Sequence, residues 1–218
     1  LQGGRGEQPY EADGAFRART RGTRVAVRHV LGQRGVLEVG YGIERRSFDV
    51  PRPDAPGGLV AGLDLALDAR LVDGFRQRLD ARVSLARPTA WLGSDLSFER
   101  AEARLAYKVY LEPPQGAVIE PSVLALQLKG GWLSAEAPLD QWLGVGASPE
   151  MDWPVRGRRL YREGALGVST PLSREVGLAN LEWRQRVYRG TATQIGVAAF
   201  LDAAHLGQTA SAGRRDYL

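Results

Sequence analysis

The feature that most constrains this chain is an alternation of period two. In LVAGLDLALDARL (residues 59–71), Leu59, Ala61, Leu63, Leu65, Leu67, Ala69 and Leu71 are apolar, and Asp64, Asp68 and Arg70 fall between them. Successive side chains of a strand point to opposite faces, so the pattern makes a ribbon with one greasy face and one charged face. Asp73-Gly74 supplies a tight turn. FRQRLDARVSLAR then repeats the scheme, with Leu79, Ala81, Val83 and Leu85 against Arg76, Arg78, Asp80 and Arg82, and the pair reads as a hairpin. FERAEARLAYKVYLE follows with Ala101, Ala103, Leu105, Tyr107, Val109 and Leu111 on one side, and AVIEPSVLALQLK is a strand weakened at its centre by Pro121. Upstream, TRVAVRHVL and GVLEVGYGIERR alternate similarly behind a shorter strand around Phe16; downstream, VGLANLEWRQRVY and QIGVAAFLDAAHL close the series. SFERAEARLAYK contains good helix formers, but its apolar positions scatter at 100° per residue and align at 180°.

Turns near residues 32–35, 72–74, 113–116 and 189–193 are short, and connections over about 50–57, 87–97 and 130–175 are long. Strands of roughly 10 to 14 residues, joined by short turns at one end and long loops at the other, describe a membrane barrel. Soluble strands average about 5 to 6 residues. The expectation is an all-β, antiparallel transmembrane β-barrel, incomplete, in one domain over residues 1–218 with a long lumen-inserted loop at about 130–175. A soluble sandwich or lipocalin-like barrel also alternates, with the Leu and Ala face as its core. Strand length and the small number of large aromatics, with Phe at five positions, favour the membrane barrel. No apolar run approaches the roughly 18 residues of a membrane helix.

Charge narrows the function. Lys108 and Lys129 are the only lysines among 29 basic residues, but 25 acidic residues are interleaved with them and the net charge is +4. A nucleic-acid footprint is a one-signed patch, so that class is excluded. The absence of cysteine rules out disulfides and thiolate metal sites and suits an oxidising compartment. His29 and His205 have no metal-ligand spacing around them, GYGIER and GVGAS do not open a helix in a βαβ unit, and there is no Gly-x-Ser-x-Gly elbow. These residues therefore predict no cofactor, no metal and no catalytic group. Trp91, Trp132, Trp142, Trp153 and Trp183 fall mostly in loops or near strand ends, which suits either an interfacial girdle or loop packing. A start at Leu1, and an apolar pattern beginning again at Tyr217 and Leu218, read as a piece of a longer protein.

WPVRGRR (residues 153–159) lies in a glycine-rich stretch where no regular pattern holds. In a barrel, parity sends the charged faces to the lumen, because charge on the lipid face is costly. Glu182 then points inward. Phe200 and Asp202 do likewise if Ile195, Val197, Ala199 and Leu201 meet lipid. An arginine on a loop folded into the lumen would meet both carboxylates with its planar fork of donors. Spacing alone leaves Arg156 as either this arginine or an exposed one.

The motif Val155-Arg156-Gly157, within VRGRR, resembles the Val-Arg-Gly-aromatic motif in the lumen-inserted sixth extracellular loop of the outer-membrane assembly-factor and two-partner-secretion transporter superfamily, the bacterial surface antigen barrels. NLEWRQ, with Glu182, resembles that family's twelfth strand, and FLDAA, with Phe200 and Asp202, resembles the Phe-x-Asp-x-Gly motif of its thirteenth. Order and spacing match over about residues 150–207. Arg158 stands where the family has an aromatic residue, with Tyr161 nearby, and Ala204 stands where it has glycine.

The resemblance implies that Arg156 pairs with Asp202, with Glu182 as second acceptor. It further implies roughly nine to ten strands of a roughly sixteen-stranded barrel, located in the bacterial outer membrane among its lipids. The implied role is non-enzymatic: inserting or translocating client polypeptides, with periplasmic domains or lipoproteins as partners. Some patatin-like phospholipases carry a similar barrel as a membrane anchor, which is the alternative from the enzyme class. A soluble ligand-binding β-domain is the third.

Overall fold

The alternating segments form strands. A computed structural model describes residues 2–10, 16–48, 57–111, 122–138, 141–146, 153–154, 172–189 and 193–209. The strands are β1 (Gln2–Tyr10), β2 (Phe16–Leu31), β3 (Gly35–Phe48), β4 (Gly58–Asp73), β5 (Gln77–Pro88), β6 (Arg100–Leu111), β7 (Ser122–Leu133), β8 (Leu143–Gly146), β9 (Trp153–Pro154), β10 (Leu172–Arg189) and β11 (Gln194–Thr209). All belong to one sheet. β1 through β7 pair antiparallel in chain order, β7 pairs with β10, and β10 with β11. β8 pairs with the start of β10, and β9 lies parallel to β8. Among the described residues β1 and β11 do not pair, so this is an open arc of barrel wall.

Register turns the one-strand pattern into two continuous faces. One cross-strand row runs Val39, Leu65, Leu85, Ala101, Trp132; the adjacent row, on the other face, runs Glu38, Ala66, Ser84, Glu102, Gly131. Below the rim turn after β5 the apolar face is uncovered: Leu85 is 48% and Leu201 67% exposed. No second sheet packs on it among the described residues. The two-layer sandwich is therefore replaced by a single curved layer.

The charged face is the concave one. Val60 of β4 and Leu206 of β11 pack against the same apolar cluster, which includes Leu133 of β7 and Val176 and Leu178 of β10. In a flat sheet β4 and β11 would stand about 24 Å apart, at roughly 4.8 Å per strand.

The structure corrects several expectations. Phe16 does not belong to a separate short strand; it opens β2, and the preceding strand is β1, whose QGGRGEQPY has no apolar alternation. β7 begins at Ser122, and Pro121 lies outside the described residues. The alternation through Leu71 breaks at a bulge between Arg70 and Val72; Val72 then joins Leu79 on the convex face, and Asp73 faces Arg78 on the concave face. A second bulge, between Arg186 and Tyr188, takes Val187 out of the ladder and pairs Tyr188 with Ile195. The concave face is also not charged along its whole height. At the end carrying the long connections it bears the buried cluster Phe98, Leu133, Ala137, Leu143, Val176 and Leu178.

Candidate functional site on the concave face

The antiparallel register of β10 and β11 sets Glu182 opposite Phe200 and Asn180 opposite Asp202. These four residues form a block on the concave face, while Leu181 and Leu201 oppose each other on the convex one. The Asn180 amide donates to Asp202 Oδ1 at 2.9 Å, a partner the sequence reading did not assign. Asn180 alternates with apolar residues in NLEWRQ, but only the register shows which carboxylate it meets. Glu182 accepts from Arg184 Nε two residues along its own strand.

Val155, Arg156 and Gly157 lie outside the described residues. The chain reaches them from β9, which pairs with β8, which in turn pairs with Leu172 and Ser173 at the start of β10. The root of the motif is therefore tied to the strand that carries Glu182.

Much of the rest of the concave wall pairs arginine with carboxylate. Arg24 of β2 reaches over Gly40 of β3, donating to Glu38 at 2.6 Å and to Asp64 of β4. Glycine is what makes this crossing possible: a Cβ at Gly40 would stand 2.6 Å from Asp64 Oδ1 and 2.9 Å from Arg24 Nη2. Arg70 meets Asp73 at 3.2 Å and Asp80 at 3.3 Å; Arg78 meets Asp80 at 2.6 Å, and Arg82 meets Asp68 at 3.5 Å. Such half-exposed pairs contribute about 0.2 to 1 kcal/mol each, enough to select register without carrying the fold.

Two connections cap this end of the wall and feed its concave cluster. After β5, Thr89 N–H donates to Ala61 O at 3.2 Å, a 3-10 turn spans Ala90–Leu92, and Gly93 ends it at φ 88°, a left-handed conformation that favours glycine. Asp95 pairs with Leu59 twice, through its own N–H at 2.7 Å and through its carboxylate, which accepts the Leu59 N–H at 2.6 Å. The chain then delivers Leu96 and Phe98 to the concave cluster.

After β7, Ala137, Trp142 and Leu143 enter the same cluster. The Arg174 guanidinium lies 5.3 Å from the Trp142 ring centroid, and the Gln141 carbonyl, in the orientation that satisfies both groups, accepts from Arg46 of β3. Glu136 stands on the rim. The backbone N–H and the Ser134 hydroxyl, with Arg174 nearby, hold its carboxyl below the usual range. Sequence reading missed this cluster. Its signal was present, in the apolar residues of WLGSDLSF and WLSAEAPLDQWL.

No protein-family model and no curated protein matches the chain. Among solved structures it is similar to that of BamA from Haemophilus ducreyi lacking POTRA domains 1-3, with a TM-score of 0.65 and 14% identity, covering 93% of this chain and 45% of that one. At this identity the likeness shows the fold alone, that of part of a β-barrel wall. The chain spans just under half the length of that protein.

Proposed function

We propose that these residues are the wall of a single bacterial outer-membrane barrel domain that inserts or translocates client polypeptides and carries no enzymatic site of its own. The observation that carries the reading is the uncovered apolar face. On β6 it runs from Ala101 to Leu111, on the face of Leu105 and Val109. That is about 33 Å along the strand and about 25 Å across a membrane at a tilt of about 40°, the height of an outer-membrane apolar band. Hydrocarbon covers such a face at no desolvation cost, whereas water does not.

The polypeptide-handling role draws on the barrel likeness and on the order of motifs from Val155 to Asp202. In this reading the connection between β7 and β10 enters the lumen, and the Arg156 guanidinium binds Asp202, with Glu182 as second acceptor. Partner lipoproteins and periplasmic domains belong to the same reading.

The test uses the full-length protein in lipid vesicles, with an unfolded client barrel added and its folding followed by heat-modifiable gel mobility. The expected result is co-flotation with the vesicles and faster client folding than in protein-free vesicles. Flotation without acceleration refutes the insertion role, and absence of flotation refutes the membrane assignment as well.

A further inference from the structure

We infer that the convex face carries a phosphate-binding site at its long-connection rim, built for the headgroup of an anionic phospholipid in the surrounding leaflet. The inference rests on the membrane reading above. Beyond the last apolar rows of β2 and β3, where Val25 opposes Tyr41 and Thr23 opposes Ile43, the next row on the same face sets Arg21 directly opposite Arg45. Arg21 and Arg45 are both exposed.

Directly opposed side chains have their Cβ atoms about 5 Å apart, and like charges in that position destabilise a sheet unless an anion lies between them. Protein carboxylates do not fill the role. Among the described residues neither arginine has a carboxylate within 4.0 Å: Glu44 turns to the concave face, where it meets Arg46 at 2.7 Å; Asp95 is held by the Leu59 N–H at 2.6 Å; and Glu99 pairs with Arg87 at 3.2 Å. On the concave face, by contrast, Arg24, Arg70, Arg78, Arg82 and Arg184 each meet one, and Arg104, opposite Arg82, donates to the Gln127 side-chain oxygen at 3.4 Å.

The surroundings select a lipid over a free anion. Below the arginines the convex face is apolar wall, suited to acyl chains. At the rim beside them Tyr41 donates to Leu92 O at 3.1 Å, which brings the 3-10 turn onto the convex side, and Trp91 on that turn is 76% exposed. Tyr and Trp at this level are headgroup residues. A phosphate between two guanidinium forks takes charge-assisted hydrogen bonds from both, as its chains lie along the wall.

The test places the intact protein in nanodiscs of phosphatidylcholine containing a minority of phosphatidic acid and measures, by native mass spectrometry, the lipid retained on release. The parent is compared with Arg21→Gln/Arg45→Gln. A second double variant, Arg82→Gln/Arg104→Gln, removes an opposed arginine pair from the concave face. The expected result is enrichment of phosphatidic acid on the parent and on the concave variant, a loss of enrichment on the order of tenfold in the convex variant, and no displacement by inorganic phosphate.

Equal enrichment on all three proteins, equal loss in both variants, or displacement by inorganic phosphate overturns the site. Insertion without any enrichment overturns this inference and leaves the membrane reading standing. Failure to insert overturns both.

Discussion

Replacing Gly62 and Gly40 with alanine separates two kinds of close approach on the concave wall. An added Cβ at Gly62 would stand 2.6 Å from both Cα and N of Pro88 and 2.8 Å from the Arg87 carbonyl oxygen, all backbone atoms. Relief requires β5 to move away from β4 by nearly 1 Å, at a point where Thr89 N–H donates to Ala61 O. Overpacking of this kind costs about 1 to 3 kcal/mol, and losing the rim hydrogen bond adds about 1 kcal/mol. Gly62 has no left-handed φ, so alanine also restricts the unfolded chain and returns about 0.4 to 1 kcal/mol. The net is a destabilisation of about 1 to 3.6 kcal/mol.

At Gly40 the near atoms are the Asp64 carboxylate and the tip of Arg24, which swing aside. The loss is then a half-exposed ion pair worth about 0.2 to 1 kcal/mol, offset by the same entropic gain. Gly40→Ala should therefore be near neutral. The assay is the urea midpoint of the reconstituted barrel, read by heat-modifiable mobility. Gly62→Ala within about 0.5 kcal/mol of the parent, or Gly40→Ala the more damaging of the two, would refute the reasoning.

Leu133 is 2% exposed at the centre of the concave cluster, so Leu133→Ala should cost about 2 to 5 kcal/mol in the same assay. Leu85→Arg puts a charge on the apolar face and should destabilise the inserted protein by about 2 to 4 kcal/mol; Ser84→Arg, one residue away and opposite Glu102 on the concave face, should be tolerated, and equal damage from both would contradict the face assignment. Charge exchange tests the loop pairing: Arg156→Asp and Asp202→Arg singly should impair client folding, the double exchange should restore it, and a double variant no better than the singles would count against the pairing. Because the Glu136 carboxyl is held below the usual range, its contribution is fully present above the ordinary carboxylate pKa and is lost as pH falls through the lowered value. Amide-exchange protection of residues 134–137, relative to the intrinsic rate at each pH, should fall only in acid, and Glu136→Gln should remove that pH dependence.

Much of the wall was legible in the chain because a strand's face is a local property. Leu63, Leu65 and Leu67 face one way and Asp64 and Asp68 the other whatever their neighbours are, and the same parity put Glu182 and Asp202 on one side. What adjacent strands do to each other was not local. β1 carries no alternation and is a strand because its backbone pairs with β2. The bulges at Arg70/Val72 and Arg186/Tyr188 answer to the partner strand's length and twist. Phe98 and Leu143, far apart in sequence, share a cluster because β7 pairs with both β6 and β10.

By itself, then, the sequence determined a long-stranded antiparallel wall with one apolar and one charged face, since period two is written residue by residue. Only the tertiary structure decided which face is concave, that Arg24 crosses Gly40 to reach Asp64, and that Arg21 and Arg45 stand side by side with no carboxylate between them among the described residues. Those outcomes depend on register and curvature, which arise from pairings between residues distant along the chain.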